Sequence, residues 1–177
     1  GKEMRALRGR DIAMIFQDPM TALNPVYTIG FQIGEDLKYD TDLDKRSRRA
    51  RTLELLTQMG ISTPEKRIDQ YPHEFSGGMR QRVLIAMGIA AGADLVLADE
   101  PTKGLDRRRI ALVEDAFQRL GERTLLCVTH DLRFAHAISS RVVVMYASQQ
   151  IESGDSPSFF AEPLHPYSRA MLEALPE

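Results

Sequence analysis

The second half of the chain alternates short apolar runs with amphipathic segments. Apolar residues recur at helical spacing at Ile110, Val113, Phe117 and Leu120, and again at Phe134 and Ile138. Three runs around these segments predict buried β-strands, and a fourth lies earlier, from Ile12 to Phe16. The three runs are "LVLA" (95–98), "TLLCV" (124–128) and "RVVVMY" (141–146). This alternation predicts an α/β fold with a mostly parallel sheet and helices on both of its faces.

The stretch at about residues 28–92 has no strand pattern. The four-residue spacing of Ile29, Ile33 and Leu37 predicts one helix, and a second helix follows the charged run "DKRSRRAR". A third helix begins after Ser76, a good N-cap residue, and Gly88 within it indicates a close contact with another helix. We therefore expect one domain over residues 1–177, in which about 28–92 form a helical subdomain and 1–27 and 93–177 form the core.

Composition and charge narrow the class of protein. A chain of 177 residues that is 43% hydrophobic can bury one substantial core. Its 23 basic and 25 acidic residues nearly balance, which argues against nucleic acid as a partner, and "DKRSRRAR" is expected to be a solvated helix face. The single cysteine, Cys127, lies in an apolar run and is expected to be buried, as fits a reducing cytoplasm. The N-terminal sequence resembles neither a signal peptide nor a membrane span.

Polar side chains follow three of the predicted strands. Gln17 follows "AMIF", Asp99 and Glu100 follow "LVLA", and His130 follows "LLCVT". Ligands of parallel α/β sheets bind beyond the carboxyl ends of the strands, so these residues outline a site. Paired carboxylates suit Mg²⁺ and an attacking water, with one acid helping to hold the metal and the other activating the water. The alternative is that both acids simply cap the loop before the next helix.

A second candidate site lies at "SGG", Ser76 to Gly78, which opens a predicted helix. Two glycines at a positive helix end expose backbone N–H groups, and such a position binds phosphate. Taken alone, the same three residues also describe a plain capped turn. Three histidines, His73, His136 and His165, do not follow strands and are expected to be structural or surface residues.

Taken together, the motifs resemble those of ABC-transporter ATPases, which are P-loop NTPases with an inserted helical subdomain. "FSGGMRQRV" is similar to the signature motif, "LVLADE" to the Walker B strand, "PTKGLD" to the D-loop, "VTHD" to the switch histidine and "MIFQDPMTALNPV" to the Q-loop. The sequences of the Q-loop and of the tail "EPLHPYSRAMLEALP" most resemble those of the oligopeptide, dipeptide and nickel importer subfamily.

The resemblance implies a role for each matching residue. Asp99 would support Mg²⁺ and Glu100 would be the catalytic base, while His130 would hold the γ-phosphate and Gln17 would touch the metal or the water. Ser76, Gly77 and Gly78 would meet the ATP of a second ATPase subunit, and Asp106 would cross the seam between the two.

The same resemblance implies the setting in which the chain acts. The partners would be a second ATPase subunit, identical or not, permease subunits and, indirectly, a substrate-binding protein. The chain would be a peripheral protein on the cytoplasmic face of the membrane, and the segment between Gln17 and Ser76 would grip the permease.

The chain departs from the family pattern because it carries no G-x-x-x-x-G-K-[ST] phosphate loop, the Walker A motif. We therefore expect a fold that is incomplete at its N-terminus. The longer parent protein is expected to hydrolyse ATP, whereas this chain alone is expected to bind nucleotide poorly and to be inactive. Two alternatives stay open: a non-enzymatic remnant that lends its signature motif to a partner, and a soluble ABC ATPase that acts on nucleic acid.

Overall fold

The structure of the chain, a computed structural model, describes residues 11–15, 22–40 and 42–175, apart from the side chains of residues 39 and 40. The predicted site residue Gln17 therefore lies outside the described residues. The chain divides into two compact units, Gly1–Thr129 and His130–Glu177. Within the described ranges, no helix is both long and apolar enough to cross a membrane.

A three-stranded parallel sheet forms the centre of the first unit. Its strands are β1 (Ile12–Ile15), β2 (Leu95–Asp99) and β3 (Thr124–Val128), in the order β1-β2-β3. Both pairings are parallel, with Ile12 opposite Leu95 and Leu95 opposite Thr124. The carboxyl ends of all three strands therefore lie at one edge, and β2, which carries the paired acids, is in the middle.

The two faces of this sheet differ in burial. Ala13, Ile15, Val96 and Ala98 share one face and are almost fully buried. On the other face Met14, Leu126 and Val128 are exposed, the last two by 60% and 59%. The first face is therefore the one on which the core of this unit is built.

The described helices of the first unit surround its buried core. They are α1 (Ile29–Asp40), α2 (Lys45–Gln58), α3 (Pro64–Arg67), α4 (Gly77–Gly88) and α5 (Arg107–Gln118), with a 3₁₀ turn at Pro72–Glu74. The apolar residues that predicted α1 are fully buried, as are Leu55, Leu56 and Met59 at the end of α2. Asp44 caps α2 by accepting a hydrogen bond from Ser47 N (2.7 Å).

Gly88 near the end of α4 makes its close contact with a strand and not with a helix, so that part of the prediction was wrong. A Cβ at Gly88 would lie 3.3 Å from Cγ1 of Ile15 and 3.9 Å from Cβ of Ala13, both on β1. The glycine lets the helix lie directly against the buried face of the sheet. Periodicity could not distinguish these two partners because it marks the contact position and not what lies opposite it.

The start of α1 is held by backbone and side-chain hydrogen bonds. Ile29 N donates to Gln70 O (2.9 Å) and Gly30 N donates to Ile68 O (2.8 Å). The buried amide of Gln32 accepts from Asn24 N (2.8 Å) and donates to Asn24 O (3.1 Å) and Tyr27 O (3.0 Å). These bonds satisfy a buried polar side chain and fasten the preceding loop to the helix.

Two glycines of α1 provide a matched test of this packing. A Cβ at Gly30 would overlap Cγ1 of Ile68 and lie 2.7 Å from its carbonyl oxygen, whereas a Cβ at Gly34 would have no neighbour within 4 Å. We expect Gly30→Ala to lower the free energy of unfolding by about 1–3 kcal/mol and Gly34→Ala to raise it by up to about 1 kcal/mol. Urea unfolding followed by circular dichroism measures both, and equal effects of the two substitutions would contradict the packing described.

The second unit contains an antiparallel hairpin. Its elements are α6 (Leu132–Ile138), β4 (Arg141–Tyr146), β5 (Gln149–Asp155), α7 (Ser156–Ala161) and α8 (Pro166–Glu173). The sequence predicted "RVVVMY" as another strand of the parallel sheet, and this was wrong, since β4 pairs antiparallel with β5. Ala147 and Ser148 both have positive φ, 48° and 64°, which is the geometry of a two-residue hairpin turn. Neither residue is a usual turn-former there, so the turn gave no sequence signal.

Candidate functional site

The paired acids lie where the central strand ends. Asp99 is the last residue of β2 and is exposed, and Glu100 follows with a positive φ of 47°. Glu100 N donates to Val128 O (2.8 Å), and its own carbonyl accepts from Lys103 N (3.2 Å). A left-handed conformation costs a non-glycine residue on the order of 1 kcal/mol and is concentrated at functional sites. The backbone bonds on both sides hold Glu100 in this conformation at the edge of the sheet.

The negative charge of these acids affects the pKa of a cysteine on the neighbouring strand, β3. Burial raises the pKa of the Cys127 thiol to about 12, and the nearby carboxylates of Glu100 and Asp99 add to the increase. Cys127 is half-buried and not fully buried as the sequence predicted. Its thiol is nevertheless protonated at neutral pH and is a poor nucleophile. The same carboxylates create a negative potential at the carboxyl edge of β2 and β3.

The carboxylate oxygens at this edge of the sheet are suitable ligands for a divalent cation. The described residues contain no group of three or more His, Cys, Asp or Glu side chains arranged to hold a metal by themselves. Mg²⁺ does not need such a group, because it usually binds one or two carboxylates and takes its remaining ligands from water and substrate phosphates. The exposed Asp99 beside Glu100 supplies oxygen ligands of that kind.

The "SGG" motif begins α4 as the sequence predicted. Ser76 is the N-cap, with Oγ accepting from Met79 N (3.4 Å) and the carbonyl accepting from Arg80 N (2.9 Å). Gly77 and Gly78 occupy the first turn, where backbone N–H groups have no partner within the helix. This end of α4 has the geometry and partial positive charge of an anion-binding helix terminus.

The two glycines pack against the start of α5. A Cβ at Gly78 would lie 3.4 Å from both Cβ and Cγ of Arg109, and a Cβ at Gly77 would lie 3.6 Å from Nη1 of Arg109 and 3.8 Å from Cδ2 of Leu105. Arg109 therefore places a cationic side chain beside the first turn of α4. Sequence reasoning missed this residue. Its signal was the run Arg107–Arg109 in the first turn of a helix, where the helix dipole disfavours positive charge.

Asp106 caps α5 and pairs with the same arginine. Its Oδ1 accepts from Arg109 N (3.0 Å), and its Oδ2 lies 3.2 Å from Arg109 Nε. The side chain of Asp106 is more than half exposed, so it can also face a neighbouring molecule. A role in crossing a subunit seam stays a prediction.

His130 is the first residue of the second unit and follows β3 by two residues. Its side chain is exposed, and the cap of α6 is the adjacent Asp131, whose Oδ1 accepts from Phe134 N (3.0 Å). A capping role therefore belongs to Asp131 and not to the histidine. The γ-phosphate role of His130 stays a prediction.

The other histidines take local structural positions. His73 stacks on Tyr71, with ring centroids 5.7 Å apart, and His136 contacts Phe160 edge-on at 4.3 Å. His165 caps α8, with Nδ1 accepting from Tyr167 N (3.1 Å). These contacts agree with the prediction of structural or surface roles.

The basic run "DKRSRRAR" lies on exposed positions of α2. Arg49 forms two hydrogen bonds to Asp69, at 3.1 and 3.0 Å, and Arg51 pairs with Glu54 at 3.0 Å. Both pairs are solvent-exposed and contribute little to stability. The run is a solvated helix face with local acidic partners, as predicted.

Comparison with solved structures defines the class of the fold as that of the ATP-binding cassettes. A dimeric post-hydrolysis state of the cassette MJ0796, bound to ADP and Pi, superposes with a TM-score of 0.75 at 26% identity, covering 88% of this chain and 67% of the other. The cbiO1 protein of Clostridium perfringens, part of the transporter complex cbiONQ, gives 0.76 at 25% identity, with 91% and 62% coverage. The family model described as ABC transporter matches residues 1–103. The chain belongs to the ABC transporter family.

Named relatives place the chain more narrowly within this family. The dipeptide transport ATP-binding protein DppD of Haemophilus influenzae is 50% identical over 99% of this chain and 54% of its own length. The oligopeptide transport ATP-binding protein OppD of Bacillus subtilis is 45% identical over 99% of this chain and 50% of its own length. The resemblance to peptide-importer subunits stated from the motifs is thus confirmed. The chain spans about half the length of the curated relatives it matches.

Proposed function

We propose that this chain is part of the ATP-hydrolysing subunit of an importer for peptides or nickel-like cargo. The observation that carries the proposal is the position of Asp99 and Glu100 at the end of the central strand, with Glu100 held in a left-handed turn. Both acids therefore lie at the carboxyl edge, where parallel sheets bind ligands. Relatives at 44–50% identity are named dipeptide or oligopeptide transport proteins, which supports peptide cargo.

Each site residue takes one role in this reaction. Asp99 would hold Mg²⁺, which neutralises charge on the phosphates, and Glu100 would take a proton from the attacking water. Gln17 would orient the metal or the water, and His130 would hold the γ-phosphate. The two acids are adjacent in sequence but would carry different roles, because Asp99 is the last residue of the strand and Glu100 lies in the turn that follows it.

The signature turn serves a second subunit. Ser76, Gly77 and Gly78 present helix-end N–H groups at a distance in sequence from the acids, so one chain would complete the ATP site of its neighbour. Asp106 would cross the seam between the subunits. The helical subdomain at residues 28–92 would contact the permease on the cytoplasmic face of the membrane, and an external binding protein would deliver the cargo.

Reconstitution of the full-length protein tests this proposal. The subunit, its partner ATPase and the permease are placed in liposomes, and phosphate release from Mg-ATP is measured with and without a peptide-loaded binding protein. We expect hydrolysis that requires Mg²⁺ and rises with the loaded binding protein. Hydrolysis stimulated by DNA or RNA and not by peptide would instead favour a soluble ATPase acting on nucleic acid, which the named relatives do not support.

A further inference from the structure

Arg82 is a buried cation on α4, the helix that begins at the Ser76–Gly78 turn. The motifs assign no role to this arginine. Only 7% of its surface is exposed, and it lies on α4, one turn beyond Gly78. A buried charge is costly unless hydrogen bonds or an opposite charge compensate it. Nε and Nη1 of Arg82 donate their hydrogen bonds to backbone carbonyls.

The guanidinium joins two helices at their ends. Nη1 donates to Met59 O (3.1 Å) and to Gly60 O (2.7 Å), and Nε donates to Gly78 O (3.4 Å). Met59 and Gly60 terminate α2, where carbonyl groups lack helical partners and the helix dipole is negative. Arg82 thus caps the C-terminal end of α2 while holding a carbonyl of the signature turn.

The guanidinium of Arg82 is closely packed against neighbouring groups at the end of α2 and on α5. Gly60 has a φ of 67°, and a Cβ there would lie 3.2 Å from Nη1 of Arg82 and 3.8 Å from Oδ2 of Asp115. Burial lowers the pKa of Arg82, and the nearby charge of Asp115 on α5 opposes that decrease. The guanidinium is therefore enclosed by α2, its own helix α4 and a carboxylate of α5.

We propose that Arg82 is a positioning residue that fixes the N–H groups of the Ser76–Gly78 turn by anchoring α4 to the end of α2. The inference rests on the proposed function, in which those N–H groups complete the ATP site of a partner subunit. Donors aimed at phosphate contribute most when their orientation is fixed before the reaction. Arg82 does not touch nucleotide in this role, and it acts through Gly78.

If Arg82 positions the turn, its substitution in the full-length subunit should change the rate of ATP hydrolysis but not the binding of nucleotide. Arg82→Met should lower kcat of the assembled ATPase by about tenfold or more, because misplacement of a positioning group is costly. Binding of a fluorescent ATP analogue to the isolated full-length subunit should not change, since its own phosphate site does not use the signature turn. Arg82→Lys keeps the charge and should recover part of the lost rate.

Control variants separate positioning from stability. Arg141→Met removes an exposed arginine of β4, which lies outside the helical subdomain and outside the proposed nucleotide site, and it should leave both measurements unchanged. Gly60→Ala disturbs the same contact from the other side while keeping Arg82, so it serves where Arg82→Met folds poorly. A purely structural role would lower the thermal midpoint and nucleotide binding together, with Lys no better than Met, and that result would overturn the proposal.

Hydrogen exchange tests the inference independently of hydrolysis. In Arg82→Met or Gly60→Ala, the amides of Met79 and Arg80, which donate hydrogen bonds to Ser76 at the start of α4, should exchange about tenfold faster, whereas amides of α1 should not change. Unchanged exchange in that turn would overturn the positioning role even if hydrolysis fell. Absence of hydrolysis in the wild-type assembly, with faster exchange in the variants, would reject the proposed function and leave the anchoring by Arg82 standing.

Discussion

Replacing Glu100 by Gln in the full-length protein is expected to lower ATP hydrolysis by at least about a hundredfold, the usual contribution of a general base. Gln has nearly the same shape as Glu and can keep the left-handed backbone and the bond from its N–H to Val128 O. It cannot accept a proton from the attacking water. ATP should still bind, so nucleotide should accumulate in the closed dimer.

The measurement is steady-state phosphate release, together with quantification of bound ATP after gel filtration. Glu122→Gln is the matched control because Glu122 is exposed in the turn after α5, away from the carboxyl edge of the sheet. That control should retain the wild-type rate. If Glu100→Gln hydrolysed ATP as fast as the control, Glu100 would have no part in the chemistry.

The second large effect is expected from Gly77→Asp at the signature turn. A carboxylate there would be attracted to the N-terminus of α4 and to Arg109, whose Nη1 lies 3.6 Å from the position of the new Cβ. It would thus take the place of the phosphate and repel it. We expect the free energy of unfolding to be retained or raised by about 0.3–1 kcal/mol, while hydrolysis by the assembled dimer falls by about a hundredfold or more.

Gly77→Ala distinguishes charge from size at the same position. Its Cβ would make ordinary contacts, at 3.6 Å from Arg109 and 3.8 Å from Leu105, and would add no charge. We expect a loss of less than about tenfold in hydrolysis because the N–H groups stay in place. Thermal unfolding and phosphate release measured on both variants provide the comparison. Equal losses would mean that the turn requires glycine for space and does not bind an anion.

The local structure of the site was predictable from the sequence because its signals are short-range. Three of the four predicted strands were placed where the structure has them in the parallel sheet, since continuous apolar runs bounded by polar residues are typical of buried strands. Ser76 was predicted as an N-cap and caps α4, whereas Asp106 and Asp131 cap α5 and α6 without having been predicted to do so. An N-cap depends on residues three positions apart, and that spacing can be read directly.

The contacts between elements were not predictable in the same way. Pairing of β4 with β5 depends on a turn at Ala147 and Ser148, two residues with no strong preference for positive φ. The burial of Arg82 against Met59 and Gly60 depends on how α2 and α4 lie against each other. An arginine in an amphipathic helix gives no signal of such a contact, because exposed arginines have the same spacing.

The sequence by itself determined the class of fold, the family and the residues at the ends of the strands. Strand hydrophobicity, helix caps and motif order are properties of neighbouring residues, so they can be recognised from the sequence without a structure. Tertiary structure decided the central place of β2, the left-handed turn at Glu100, the packing of Gly77 and Gly78 on Arg109 and the anchoring of Arg82. Each of these joins residues distant in the chain, and their geometry follows from the packing of whole elements.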